Sequence, residues 1–489
     1  MMSKLRRSFF LSFAAFAVIL QLFYNSTAQS LEASIKIESF EPPILRVEGK
    51  FSNERTSKNW TFLNSIAGAE NLGEKISDFV LIDKNGQTVA VKKLQSGEYL
   101  AENSAIEFSY KIDLRRKEKI SLMAHISWVS SEKGLLMLDD LLPQFGEKQG
   151  VNIKFNLPND WKITANEKSS ARNYFEVADI EKAVFFIGKN WREREIGKLK
   201  LLISDEWQFT DDEAKDAASE ILQAYQKIFG EIPNEKAQVF IVRFPAGTAL
   251  GNWEAETRGA NIVILSSDMP FKNQSVSRIH EQFRHEFFHL WVPNNLALHG
   301  RYDWFYEGFA LYQSLKTGVG LNRLRFEDFL DTLSRAYNLD NFQTQRISLI
   351  EASKNRWSGG NSQVYARGML TAFLCDIAIL KESKGKRDLT EVLREIYQTH
   401  RKPNKAVDGN TAILQILKTR RELKTIVEKY IESAENIEWQ TDLEAVGIEA
   451  KLENSFTKLV VKAKLNGRQK DLLNELGYNN WRKLVQKSK

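Results

Sequence analysis

The chain has 489 residues, 43% hydrophobic and 27% charged, a globular balance with room for two or three domains. Its 69 Lys and Arg against 63 Asp and Glu leave a net charge of +6, with the two signs interleaved, which excludes the continuous basic footprint of a nucleic-acid binder. A single cysteine, Cys375, excludes an intrachain disulfide framework, and its apolar surroundings (Phe373-Leu374-Cys375-Asp376-Ile377) predict a buried small hydrophobe.

Residues 1–28 predict a secretory signal peptide. Lys4, Arg6 and Arg7 precede an apolar stretch from Phe9 to Phe23, and Ser26-Thr27-Ala28 offers the small residues of a cut after Ala28. The apolar stretch is shorter than the roughly 20 residues that span a bilayer. The residue directly after the cut is Gln29 and not a cysteine, so no lipid anchor is expected, and removal of the three basic residues takes the charge to +3. Later apolar runs stay below about 18 uninterrupted residues, so no membrane span is expected after cleavage. Export to the periplasm or the outside is the expected destination.

The mature chain reads as an α+β multidomain protein. Over 29–205 the pattern is β-like, with alternation at Ser34–Glu38, Ala105–Tyr110 and Val151–Phe155 and a hairpin turn at Asp83-Lys84-Asn85-Gly86, which predicts an N-terminal β-sandwich. A second domain is expected over 206–435. It opens with a helix capped at Asp211 or Asp212, running to Phe229 and stopped by Gly230. Two β-rich runs follow, Ala237–Phe244 and Asn261–Leu265, and helical patterns then dominate from Ser275 to about Tyr430. The remainder, 436–489, is expected to be an extension ending in a packed amphipathic helix around Leu472, Leu473, Leu476 and Trp481.

Chemistry concentrates in one place. Four of the six histidines, His280, His285, His289 and His299, fall within 20 residues, and among them stands His285-Glu286-Phe287-Phe288-His289. Residues four apart share a helix face, so both imidazoles can reach one ion while Glu286 projects beside it, able to take a proton from the water that the ion holds. A third ligand of the same chemistry is Glu307, in Trp304-Phe305-Tyr306-Glu307-Gly308-Phe309. A carboxylate among aromatic residues is costly to bury alone, and a divalent cation removes that cost. Two His and one Glu with an open position make a catalytic zinc set, since a structural site closes with four protein ligands. One zinc per chain is therefore expected, with His280 and His299 as bystanders or as groups that support the ligands from behind.

The stretches His285–Trp291 and Trp304–Phe309, with Tyr365-Ala366-Arg367-Gly368-Met369-Leu370, Glu428–Ser433 and Ala445–Glu449, resemble the glycyl aminopeptidase family of gluzincin metallopeptidases. The resemblance covers most of the mature chain. It implies a β-sandwich followed by a mainly helical, thermolysin-like zinc peptidase domain acting on peptides. It also implies that Tyr365 donates a hydrogen bond to the oxyanion and that an acid before the zinc helix holds the substrate amine. Glu254 is the best positional match for that acid, with Glu256 competing. About 40 residues follow Ile448, too few for the PDZ domain that ends many family members. Position 311 is Leu rather than an acid, so no partner that orients the zinc histidines is visible.

The reading is an exported zinc metallopeptidase, with Glu286 as general base and an aminopeptidase specificity. Asn261–Leu265 is expected to pair with an extended substrate backbone. Two alternatives stay open: a zinc endopeptidase without amine recognition, and a non-catalytic envelope binding protein with a β-sandwich ligand domain. The intact Glu286 speaks against the second.

Overall fold

Alternating apolar residues become the inner face of a large sheet. In the strand Leu31–Phe40, Leu31, Ala33 and Ile35 are buried while Glu32 and Lys36 face solvent. The computed structural model describes residues 31–55, 57–115, 122–144, 150–245 and 248–480, so the expected signal segment and Trp481 lie outside it. Leu31–Phe40 pairs antiparallel with Pro43–Arg55 and parallel with Val151–Asn156, placing Ile35 opposite both Val47 and Phe155. Eight strands join this sheet. The turn at Asp83–Gly86 forms as expected, between Ile76–Ile82 and Thr88–Val89. The Asp83 carboxylate accepts from the Asn85 and Gln87 amides, and Gly86 adopts φ 79°.

A four-stranded sheet (Lys162–Ala165, Val184–Gly188, Lys133–Met137, Trp128–Val129) faces the large one. Its strand Val184–Gly188 is buried throughout because both its faces are covered. Phe185 and Ile187 pack into the sandwich core, with the Phe155 and Phe185 rings 4.6 Å apart. Val184 and Phe186 point the other way, onto Phe240, Val242, Val263 and Leu265 of a third layer. The β-rich front half thus shares an apolar interface with the half that follows it.

That third layer is a five-stranded sheet, in the order Arg192–Ile196, Leu199–Ile203, Ala237–Arg243, Asn261–Ser266, Trp253–Arg258. Its first two strands belong to the stretch 29–205, so the expected division after 205 falls inside this sheet. Asn261–Ser266 is hydrogen-bonded on both sides, parallel to Ala237–Arg243 and antiparallel to Trp253–Arg258. It therefore has no edge to offer a substrate; the edge strand beside it is Trp253–Arg258, and Arg192–Ile196 is the other edge of the sheet.

Helices cover the other face of this sheet. Asp211–Phe229 starts one residue earlier than its acids suggest, capped by Thr210 in a reciprocal box with Glu213. The helix Lys272–Glu286 follows, with Ile279 and Phe283 in the same core as Val239, Ile241 and Ile264. Through the centre runs Gln363–Ser383, long and apolar enough to cross a bilayer by composition, yet 94% buried in the fold, as a core helix would be. Cys375 lies on it fully buried, and burial pushes its thiol up. The C-terminal stretch forms the hairpin Ile448–Glu453 and Phe456–Val461 and the helix Gly467–Glu475. Leu472, Leu473 and Leu476 join the main core.

Candidate metal centre and active-site cleft

The α-helical turn pattern ends at Glu286, and Phe287–Leu290 continues as a tighter 3-10 turn. Both histidines still converge: the Nε2 atoms of His285 and His289 are 3.3 Å apart. Glu307 Oε2 lies 3.3 Å from His285 Nε2 and 3.8 Å from His289 Nε2. Metal–ligand bonds of about 2.0–2.1 Å in a tetrahedron require edges of about 3.3 Å, so the triangle fits one zinc ion. Glu307 Oε2 is buried without a hydrogen-bond partner, which a cation would supply. The three ligand atoms all lie within 4.8 Å of one another.

Glu307 reaches this position on a π-helical turn, Trp304–Phe309, and Tyr365 sits on another, Gln363–Arg367. The two turns touch backbone to backbone. A Cβ on Gly308 would come 2.5 Å from the Gly368 Cα, and one on Gly368 would come 2.8 Å from the Trp304 carbonyl. Glycine immediately after Glu307 and three residues after Tyr365 is what lets both side chains enter one cleft. The neighbouring Trp291 is core: it stacks on Phe229 and donates to the Glu231 carbonyl.

Most polar groups here have a positioning partner; the buried His285 Nδ1 has none among the described residues. His289 Nδ1 lies 2.9 Å from the Val292 carbonyl, which fixes the tautomer that presents the Nε2 lone pair to the ion. This backbone contact orients His289 alone and supplies nothing to His285. The Thr257 hydroxyl donates to Glu286 Oε2 at 2.6 Å, while Oε1 is the oxygen nearer the ligands, 4.0 Å from His285 Nε2. Burial raises the Glu286 carboxyl above its ordinary range, against the pull of both imidazoles and the Thr257 bond. Glu307 shows the reverse: burial would raise it, but the Arg356 guanidinium and the two histidines hold it well below the carboxylate range. Burial, then the Glu307 charge, drives the Tyr365 hydroxyl far up, so it stays protonated and able to donate.

The cleft has a volume of about 440 Å³ and is lined by the three ligands, Glu286 and Tyr365. It takes in Glu256 rather than Glu254. The Glu254 carboxylate accepts from the Met123 amide at 3.0 Å, outside the lining. Glu256 Oε2 meets His125 Nδ1 at 2.8 Å, and Arg258 stands behind with Nε 3.6 Å from Glu256 Oε1. His125 and Glu256 favour each other's charged forms: against burial, the carboxylate raises the imidazole, and the imidazole with Arg258 lowers the carboxylate. His125 comes from the β-rich half, so both halves build the cleft. His299 is exposed on the short strand Leu298–His299 and does not line the cleft, and His280 faces Glu220 instead.

Thr257, His125 and Arg356 have no counterpart in the sequence reading. Their partners are 29, 131 and 49 residues away, a separation at which no local spacing carries a signal. Arg356 has the one local hint, its place in Asn355-Arg356-Trp357, a charge beside an aromatic nine residues before Tyr365.

Comparisons with known proteins agree with this architecture. No protein-family model matches the chain, and no curated protein sequence does. A crystal structure described as an aminopeptidase N family protein from Idiomarina loihiensis superposes with a TM-score of 0.72 at 14% identity, covering 90% of this chain and 82% of that one. A mutant M1 zinc metallopeptidase from Deinococcus radiodurans, bound to a Tyr-Ser-Ala substrate, gives 0.54 at 13% identity over 84% of this chain and 96% of its own. The M1 zinc metallopeptidase without that ligand gives 0.52 at 13%, over 83% and 93%. At these identities the likeness shows a shared fold, the β-rich half followed by a thermolysin-like helical half. It is the fold of aminopeptidase N-like zinc metallopeptidases broadly, and does not single out glycyl aminopeptidases.

Proposed function

We propose that the chain is an exported zinc aminopeptidase, with His285, His289 and Glu307 as ligands and Glu286 as general base. The observation that carries this reading is the convergence of the three ligands in one cleft with Glu286 beside them and a carboxylate, Glu256, on the wall. Zinc, when bound, supplies a Lewis acid that polarises the scissile carbonyl and acidifies water. Glu286, with Oε2 held by Thr257, takes the proton from the attacking water through Oε1 and passes it to the leaving amine. The Tyr365 hydroxyl donates to the oxyanion as it forms. The edge strand Trp253–Arg258 takes the place of Asn261–Leu265 as the strand on which an extended substrate lies. Glu256 takes the place of Glu254 as the group that meets the substrate ammonium.

The purified chain should hold about one zinc and cleave free-amine peptides in preference to N-blocked ones. The resemblance of His285–Trp291 and Trp304–Phe309 to glycyl aminopeptidases makes peptides with a small first residue, glycine above all, the first substrates to test. Glu256→Gln should raise KM for free-amine peptides alone, and Glu254→Gln should leave both classes unchanged. Equal cleavage of free-amine and N-blocked peptides would replace the aminopeptidase reading with the endopeptidase one, which the existing His125–Glu256 pair favours. Export is tested by the amino end of the protein recovered from culture, expected at Gln29.

A further inference from the structure

Arg356 is 8% exposed and carries its charge into the cleft wall. Its Nη1 lies 3.1 Å from Glu307 Oε1 and 3.2 Å from Asp303 Oδ1, and its Nη2 donates to the Tyr365 hydroxyl. The oxygen it takes from Glu307 is the one turned away from the histidines; Oε2 faces them. Asp303 and Glu307 are four apart across the start of one π-turn, so a single nitrogen spans both, while the second nitrogen reaches the other π-turn. The guanidinium carbon lies over two rings, 4.4 Å from the Trp357 centroid and 5.2 Å from that of Tyr365. Trp357, itself 42% exposed, meets His125 and the Gly68 loop of the β-rich half along one side.

We infer that Arg356 is a positioning residue that holds the third metal ligand, Glu307, and the hydroxyl of Tyr365 in a fixed relation through one rigid fork. The alternative role is charge balance alone, since Asp303 and Glu307 are buried acids that any cation would neutralise. Geometry separates the two. A carboxylate whose outer oxygen is pinned presents its inner oxygen at one angle, and outer contacts of this kind affect metal affinity by about 10- to 100-fold. The planar fork of arginine can bond two separate groups at a set angle; the single ammonium of lysine neutralises them without fixing that angle.

The inference rests on the zinc peptidase reading for its kinetic arm and not for its binding arm. Arg356→Lys keeps the charge and removes the fork. Zinc affinity, measured on the full mature chain by competition with a chelator, should fall by about 10- to 100-fold, while Tyr365→Phe leaves it unchanged. Turnover of Arg356→Lys should fall with KM within about threefold of the parent, a split that marks an effect on the transition state. Combined with Tyr365→Phe, the loss should be clearly smaller than the product of the two single losses, because one residue acts partly through the other. Zinc affinity within twofold of the parent, or fully multiplicative losses, would overturn the assignment. If Arg356→Lys does not fold, Arg356→Ala is read in the same way, with methylguanidinium at millimolar concentration expected to restore part of the zinc affinity; no restoration would overturn it. A parent that binds zinc yet cleaves no peptide would end the peptidase reading, and the affinity arm would still decide this one.

Discussion

The helix Lys272–Glu286 and the turn after it carry two pairs at the same spacing, His280 with Arg284 and His285 with His289, and they do opposite things. Both are buried: His280 is 2% exposed, His285 7% and His289 6%. Arg284 Nη1 lies 2.6 Å from His280 Nδ1, and since arginine only donates, that lone pair is consumed. The Nε2 of His280 then carries the proton toward Glu220, which Arg323 also holds. Burial, with Arg284 and Arg323, pulls this imidazole down to about 3, so it is a neutral packing element. On the other face His289 Nδ1 donates to the Val292 carbonyl, which leaves its Nε2 lone pair facing Glu307. Burial does not make a histidine a ligand. What separates His289 from His280 is the tautomer, which the partner on the second nitrogen sets.

The comparison breaks most severely at His289. His289→Ala should lose the zinc and with it all turnover, whereas His280→Ala should keep one zinc per chain and lose only stability. Metal analysis of the two proteins settles it, and loss of zinc from His280→Ala would erase the distinction. Within the active face, Glu286→Gln should keep its zinc and lower turnover by about 100-fold or more, because the residue moves a proton and is not a ligand. Tyr365→Phe should lower kcat by roughly 10- to 1,000-fold with little change in KM or melting temperature. Unchanged kcat would assign the hydroxyl to holding Arg356 alone.

The smallest effect is in pH. His280 is depressed in the fold, so its share of stability is complete above the ordinary value of 6.5 and is lost as pH falls below it. His125 is raised by Glu256, so its share is complete below 6.5 and lost as pH rises through its folded value. Melting temperature followed against pH should therefore show opposite changes. His280→Gln should flatten the acid side and His125→Gln the alkaline side. Parallel curves for both variants would contradict the two tautomer and charge assignments.

What was legible in the sequence has a common character: it is local. The strand alternation at Leu31–Phe40, the turn at Asp83–Gly86 and the four-residue interval of His285 and His289 follow from backbone periodicity, which a short window contains. The ligand chemistry of Glu307 was legible because an isolated acid in an aromatic run calls for a partner. The choice between Glu254 and Glu256 was not. Both stand on one strand two residues apart, and what separates them is the 122–126 segment, where the Met123 amide takes the first and His125 the second.

By itself, then, the sequence determined a β-rich half, a helical half and the residue types of one metal set, since these depend on periodicity and on donor chemistry. Tertiary structure decided the rest. It made Trp253–Arg258 the edge strand in place of Asn261–Ser266, because strand order depends on crossover connections that periodicity does not encode. It brought Glu307 and Tyr365 together through the contact of Gly308 with Gly368, across 60 residues of chain. It placed Arg356 between them and His125 against Glu256, because a charge buried in the fold must find its counter-charge wherever packing puts one.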